Sequence, residues 1–230
     1  MKSSYQIMHN ANIIRILTFH GLGSPKRPLP TGEDNYWLDP VFYEEILDTV
    51  KGRSNVMITF DDSNVSDFEI AVPALIKRQL KASFFIVSER IDQPGSLTRD
   101  QIVEMARCGM TIGSHGTQHR RWAILTPKEL RDELTDSRIA LEKIVGTDVR
   151  EAACPYGSYN RRVLKALKRA GYSRVYTSDG GVAHSEEWLS ARNTITRNHT
   201  MRDVERMLES KKTGIPSVLR SLKLTLKRWR

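Results

Sequence analysis

Two short stretches hold the side chains best suited to chemistry. Thr59-Phe60-Asp61-Asp62 ends one apolar run with two adjacent carboxylates, and Ser114-His115-Gly116-Thr117-Gln118-His119 ends another with two imidazoles. Oxygen and nitrogen donors in that mix suit a divalent cation such as zinc. One carboxylate is then left over as a base, and the set is the minimum needed to activate a water molecule. Singly the signals are weak. Asp-Asp pairs begin turns and cap helices, and a His-x3-His spacing puts two rings on one face of a helical turn on many surfaces. Their joint occurrence at two strand ends is what points to a metal-dependent hydrolase.

The elements that must position these groups alternate along the chain. Residues 13–19, 56–60 and 83–87 are short runs of β-branched and aromatic residues and are predicted as buried strands. Residues 110–113, 151–154 and 174–177 are weaker candidates. Helices fall between them. Thr126-Pro127-Lys128-Glu129 is a capping box with proline at the first helical position, followed by Leu130, Leu134, Leu141 and Ile144 on one face and a stop at Gly146. Thr98 and Gln101 start a second helix that runs past Ile102 and Met105 to Gly109. Asn160 caps a third, with Val163, Leu164, Leu167 and Ala170 inward and Gly171 as its end. Repeated strand–helix units imply a parallel sheet with helices outside. Their recurrence along the whole chain favours barrel-like closure, although periodicity does not separate a barrel from an open doubly wound sheet. Residues 21–40, rich in proline, are expected to form a loop. Strand ends carry the chemistry in such folds, so Asp61-Asp62, His115 with His119, and Cys154-Pro155-Tyr156-Gly157 should rise on one face.

The remaining bounds are modest. A chain of 230 residues, 39% hydrophobic and 27% charged, fits one globular domain. Cys108 and Cys154 form no Cys-x-x-Cys pattern and no disulfide framework. No apolar run is long enough to span a membrane. The first ten residues lack the continuous apolar stretch of a secretory signal, so the expected location is cytoplasmic. The net charge is +9, but residues 211–230 hold seven basic residues and no acidic one, so the body at 1–210 is close to neutral. Nucleic-acid binding is therefore not expected. In the tail Val218, Leu219, Leu222, Leu226 and Trp229 recur at helical spacing among basic residues. Two readings fit a basic amphipathic C-terminal helix: contact with the anionic inner face of a membrane, or packing on the body with a solvated basic face.

The motifs together resemble those of the polysaccharide deacetylases, the NodB-homology domain of carbohydrate esterase family 4. Thr59-Phe60-Asp61-Asp62 is similar to that family's first motif, with Ser63 where glycine is usual; Ser114-His115 through His119 matches the second; Pro155-Tyr156-Gly157 matches the third; and Ala82-Ser83-Phe84-Phe85 is similar to the strand after the first. The resemblance spans roughly residues 13–180. It implies a distorted (β/α) barrel and hydrolysis of an N-acetyl group on a sugar. It further implies that Asp62, His115 and His119 hold a divalent metal, most simply Zn2+, and that Asp61 is the base. Pro155, Tyr156 and Gly157 would contact substrate, with the Tyr156 N–H facing the oxyanion.

The departures from that pattern raise their own expectations. Ala153 stands where the family usually has an arginine paired with the base, which leaves Arg150 as a candidate to reach the site. The general acid is expected to be His20, at the end of the first strand, or His199. Asp179 fits a turn, and Cys154 a buried thiol. Tyr36, Trp37 and Trp122 are candidate sugar platforms or core. The expected substrate is an N-acetylated glycan, or a lipid- or nucleotide-linked sugar. The alternatives are an inactive carbohydrate-binding relative, a metal-dependent amidase on another substrate, and a basic membrane- or nucleic-acid-binding protein with an incidental acid/His cluster.

Overall fold

Period-two alternation in the first strand sets the architecture. In β1 (Ile13–Phe19), Leu17 and Phe19 face an outer core shared with the helices, while Ile14 and Ile16 face an inner cluster with Phe85, Ala153, Tyr176 and Ala183. The computed structural model describes residues 13–209. The tail expected to be helical at 211–230 lies outside the described residues.

The other strands are β2 (Gly21–Leu22), β3 (Trp37–Leu38), β4 (Val56–Asp61), β5 (Ala82–Ile86), β6 (Thr111–Ser114), β7 (Glu151–Ala153), β8 (Arg174–Thr177), β9 (Ala183–His184), β10 (Leu189–Ala191) and β11 (Asn193–Thr194). The main sheet runs β10-β8-β7-β6-β5-β4-β1-β11, with β9 antiparallel on β1 and every other pair parallel. The strands β10 and β11 lie at opposite ends of this order, yet only Arg192 separates them in the chain. The sheet must therefore curl until its edges nearly meet, which makes it the expected distorted barrel.

Among the described residues there are six α-helices: α1 (Pro40–Val50), α2 (Val72–Lys77, entered through a π-helical turn at Asp67–Ala71), α3 (Arg99–Arg107), α4 (Pro127–Val145), α5 (Arg161–Arg169) and α6 (Met201–Glu209). The predicted caps form. Thr98 with Gln101 and Thr126 with Glu129 make reciprocal capping boxes, and Asn160 accepts from the Val163 N–H. Gly146 ends α4 with a left-handed φ of 73°. Between barrel and helices, Phe19, Phe60 and Phe84 stack in register across β1, β4 and β5, with centroids 5.3 and 4.8 Å apart, and Tyr43 of α1 meets the stack edge-on. Burying each such ring stabilises by roughly 1.5–3 kcal/mol. Because Phe60 faces out, Thr59 and Asp61 face in.

The region 21–40 is more structured than a loop. It holds the parallel pair β2–β3 and a 3-10 turn at Glu33–Tyr36. Asp39 then caps α1 by accepting from the Val41 N–H, with Pro40 in the first turn. That Asp-Pro start signal was present in the sequence. Trp37 is buried, its ring so close over Gly21 that a Cβ there would sit 2.2 Å away. Trp122 is fully buried and donates its indole N–H to Glu133. Both tryptophans are core residues, not sugar platforms.

Candidate metal centre and catalytic carboxylate

Asp61 is the last residue of β4, and its inward direction follows from the strand period. Arg192 meets it there: Nη1 donates to Oδ1 and Nη2 to Oδ2, both at 2.7 Å. The guanidinium is wholly buried, over the rings of Phe85 and Tyr176, and also donates to Thr59 Oγ1. Burial pushes the Asp61 carboxyl up, but Arg192 and then His115 overcome it and leave it below the usual carboxylate range. Asp61 is ionised and rigid.

Asp62 leaves the strand in the left-handed region, at φ 78°, and Ser63 follows at φ 62°. Glycine would take the second conformation without cost. Ser63 holds it by accepting the Val87 N–H at 2.7 Å, while its carbonyl accepts from the Leu97 N–H. The turn carries Asp62 to the histidines. His119 Nε2 lies 3.0 Å and His115 Nε2 3.6 Å from Asp62 Oδ1. The approach of His119 is not that of a hydrogen bond, and Oδ1, though buried, has no hydrogen-bond partner. Burial raises the Asp62 carboxyl, yet His119, His20 and His115 together bring it well below its ordinary value.

The histidines do not share a helical turn. They follow β6 in a loop with Gly116 at φ 83° and His119 at φ 58°, and their ring centroids are 4.8 Å apart. Glu133 of α4 supports this loop. It is buried, and its carboxylate accepts from the N–H groups of Thr117 and Gln118 at 3.1 Å each. His115 Nδ1 contacts the Ala153 carbonyl at 2.9 Å; donating there leaves Nε2 with its lone pair toward the acids. Burial pushes His115 down to about 4, so it is a neutral donor.

Three donor atoms of Asp62, His115 and His119 all lie within 4.8 Å of one another. Two neutral-capable imidazoles, one ionised carboxylate and an orphaned buried oxygen fit a bound divalent cation. The residues present therefore suit the metal that the motifs imply.

His20 also reaches the site. Its ring packs on Tyr36 with centroids 4.9 Å apart, its charge would act on both Asp61 and Asp62, and its buried Nδ1 has no partner. His199 does not show such a link: its Nδ1 accepts from the Thr196 N–H in a tight turn before α6. Pro155 and Gly157 are buried, while Tyr156 is exposed at φ 56°, its ring against His119 and under Arg121. Among the described residues, four of the six non-glycine residues with positive φ (Asp62, Ser63, His119 and Tyr156) are at this site, so backbone strain is concentrated where the chemistry would be. Arg150 does not reach it; it pairs with Asp148 at the surface. Asp179 accepts from Tyr159 and Thr177 hydroxyls, and Cys154 is buried among Ala152, Tyr159 and Val163.

No local pattern in the chain pointed to Arg192 or Glu133. Asp67 was missed as well, a third buried aspartate whose Oδ1 has no hydrogen-bond partner. Burial, then Asp62 and Asp61, raise its carboxyl well above the usual range, which favours the neutral form.

A parallel barrel with two imidazoles and a carboxylate at adjoining strand ends, beside a second, arginine-clamped acid, is the layout of a hydrolase. The chain belongs to the polysaccharide deacetylase family, whose model matches residues 48–175. It is 32% identical over 136 residues to YxkH of Bacillus subtilis (strain 168), named for the polysaccharide deacetylases, which covers 59% of this chain and 49% of that one. It is 29% identical over 129 residues to the peptidoglycan-N-acetylmuramic acid deacetylase PdaA of the same organism, covering 55% and 47%. The chain thus spans about half the length of the curated relatives it matches. Its fold is that of the Streptococcus pyogenes deacetylase PplD, solved with acetate: TM-score 0.76 at 22% identity, covering 86% of this chain and 98% of that one.

Proposed function

We propose that this protein removes an N-acetyl group from an amino sugar of a polysaccharide, oligosaccharide or lipid- or nucleotide-linked glycan. The observation that carries the reading is the pairing of two differently prepared acids. Asp62 has an open oxygen among two histidines, and Asp61 is held ionised next to it by Arg192.

The metal would be held by Asp62, His115 and His119, with zinc the best match to that donor set. When bound, such an ion polarises an acyl oxygen and lowers the pKa of water. Asp61 takes the proton from the attacking water. A carboxylate has about four lone-pair sites, so the two hydrogen bonds from Arg192 leave room for this one. The clamp trades some basicity for certain ionisation. His20, across the acids and backed by Tyr36, is placed to return a proton to the leaving amine. The loop Pro155-Tyr156-Gly157 supplies the exposed Tyr156 face and a backbone N–H for the developing oxyanion.

The test is acetate release from a panel of N-acetylated glycans, with and without chelator. Chelation should abolish release, and zinc should restore it. Asp61→Asn should retain the metal and lose turnover, whereas His115→Ala should lose both. An Asp61→Asn enzyme at full rate would remove the assigned base.

A further inference from the structure

The body of the molecule is nearly neutral, but one groove is not. Between α4 and α5 lies a groove of about 460 Å³ rimmed by Arg131, Arg161, Arg162, Lys165 and Arg169, with no acidic residue in its lining. None of these five side chains makes an ion pair among the described residues. The five acids of α4 are directed elsewhere: Glu129 to Arg120, Asp132 to Lys128, Glu142 to Arg138, Glu133 under the histidine loop, and Asp136 into a separate groove. The floor is apolar, made by Leu130, Leu134, Ala166 and Ala170.

Unpaired surface cations are ordinary singly. Five around one apolar trough form a field that repels itself unless an anion joins it. The protein's own undescribed residues do not supply one, since 1–12 and 210–230 contain no aspartate or glutamate. An occupant that matches this lining is anionic and has apolar surface to set on the floor. A soluble polyanion satisfies the rim alone; an anionic phospholipid satisfies both. Position fits the second. The groove begins at the short turn Trp122–Ile124, where the Ala123 carbonyl accepts from Arg162, and Ile124 beside it is 79% exposed. Arg121, one residue before that turn, lies over Tyr156 at the site.

We infer that the α4–α5 groove docks the protein on an anionic phospholipid surface, with phosphate groups on the arginine and lysine rim and Ile124 inserted at the edge. This surface is separate from the basic tail. It would set the Tyr156 loop close to the lipid plane. The inference stands whatever the substrate is.

The experiment uses the full chain, tail intact, and sedimentation with vesicles of phosphatidylcholine and phosphatidylglycerol in equal parts. The triple variant Arg161→Gln/Lys165→Gln/Arg169→Gln should bind on the order of a hundredfold more weakly, since each cation near such a surface is worth roughly fivefold. An unchanged thermal midpoint shows that the variant is folded. Vesicles should also protect amides of residues 127–135 and 161–170 of the parent from hydrogen exchange. Equal binding by the variant, or no protection there, overturns the inference. So does protection by soluble inorganic polyphosphate but not by vesicles, which would make the groove a site for a soluble polyanion.

Discussion

Asp61 and Asp62 are adjacent in the chain, equally buried, and treated in opposite ways. Both oxygens of Asp61 are taken by one guanidinium supplied by the protein. Asp62 keeps a buried oxygen with no hydrogen-bond partner, facing two imidazoles, with the Arg90 guanidinium farther off at 3.8 Å. The arginine side of the site is complete within the fold, whereas the histidine side groups three donor atoms that could hold the proposed metal. A strand period of two separates them: Asp61 turns into the barrel, and Asp62 passes the strand end in a left-handed turn.

The largest expected effect breaks the arginine side. Arg192→Met leaves a buried carboxylate without its counter-charge and should cost about 3–5 kcal/mol in urea-unfolding stability, with Asp61 forced toward its neutral form. A loss under 1 kcal/mol would mean that the pair is no more than a surface-grade contact. Next comes the histidine side without metal. His115 is pushed down to about 4 from an ordinary 6.5. The unfolded chain therefore binds the extra proton between those values, and stability falls as pH drops from 6.5 toward 4, by on the order of 3 kcal/mol. His115→Gln should flatten that slope in thermal midpoints of chelated protein. The reverse slope would contradict a neutral, buried imidazole.

A smaller effect separates the two acids directly. Zinc at about a hundredfold over its dissociation constant should stabilise the parent by ~2.7 kcal/mol. Asp61→Asn should keep most of that increment and Asp62→Asn should lose it, measured as the shift of thermal midpoint on metal addition. Equal losses would erase the division of labour. The smallest concerns Asp67. A carboxyl raised well above its usual range lends its stability below about pH 4 and loses it as pH rises through the raised value. Asp67→Asn should then be more stable than the parent by about 1 kcal/mol at pH 8 and no more stable at pH 4.

The histidine side was legible in the sequence because Asp62 and His115 follow directly on strands and His119 lies in the loop after His115, and the parallel sheet aligns strand ends on one face. His20 was reached by the same reasoning. The histidine spacing suggested a helical turn, but the loop is held by Glu133 from α4, a contact that no local pattern encodes. Arg192 was illegible for a different reason. It stands 131 residues from Asp61, beside the three-residue strand β10, whose pattern is too short to register. The empty position at Ala153 showed that an arginine was missing, not where one would come from.

Arg192 is also the single residue between the first and last edges of the sheet. Its guanidinium works as a clasp: the same residue that fastens the cylinder delivers the counter-charge to the base. It lies beyond residue 175, where the family match ends. A polypeptide stopping at that point would keep every cation donor and every matched motif, yet present an acid with nothing to hold it charged. Closure of the wall and the charge of the proposed base therefore depend on the same short stretch of chain.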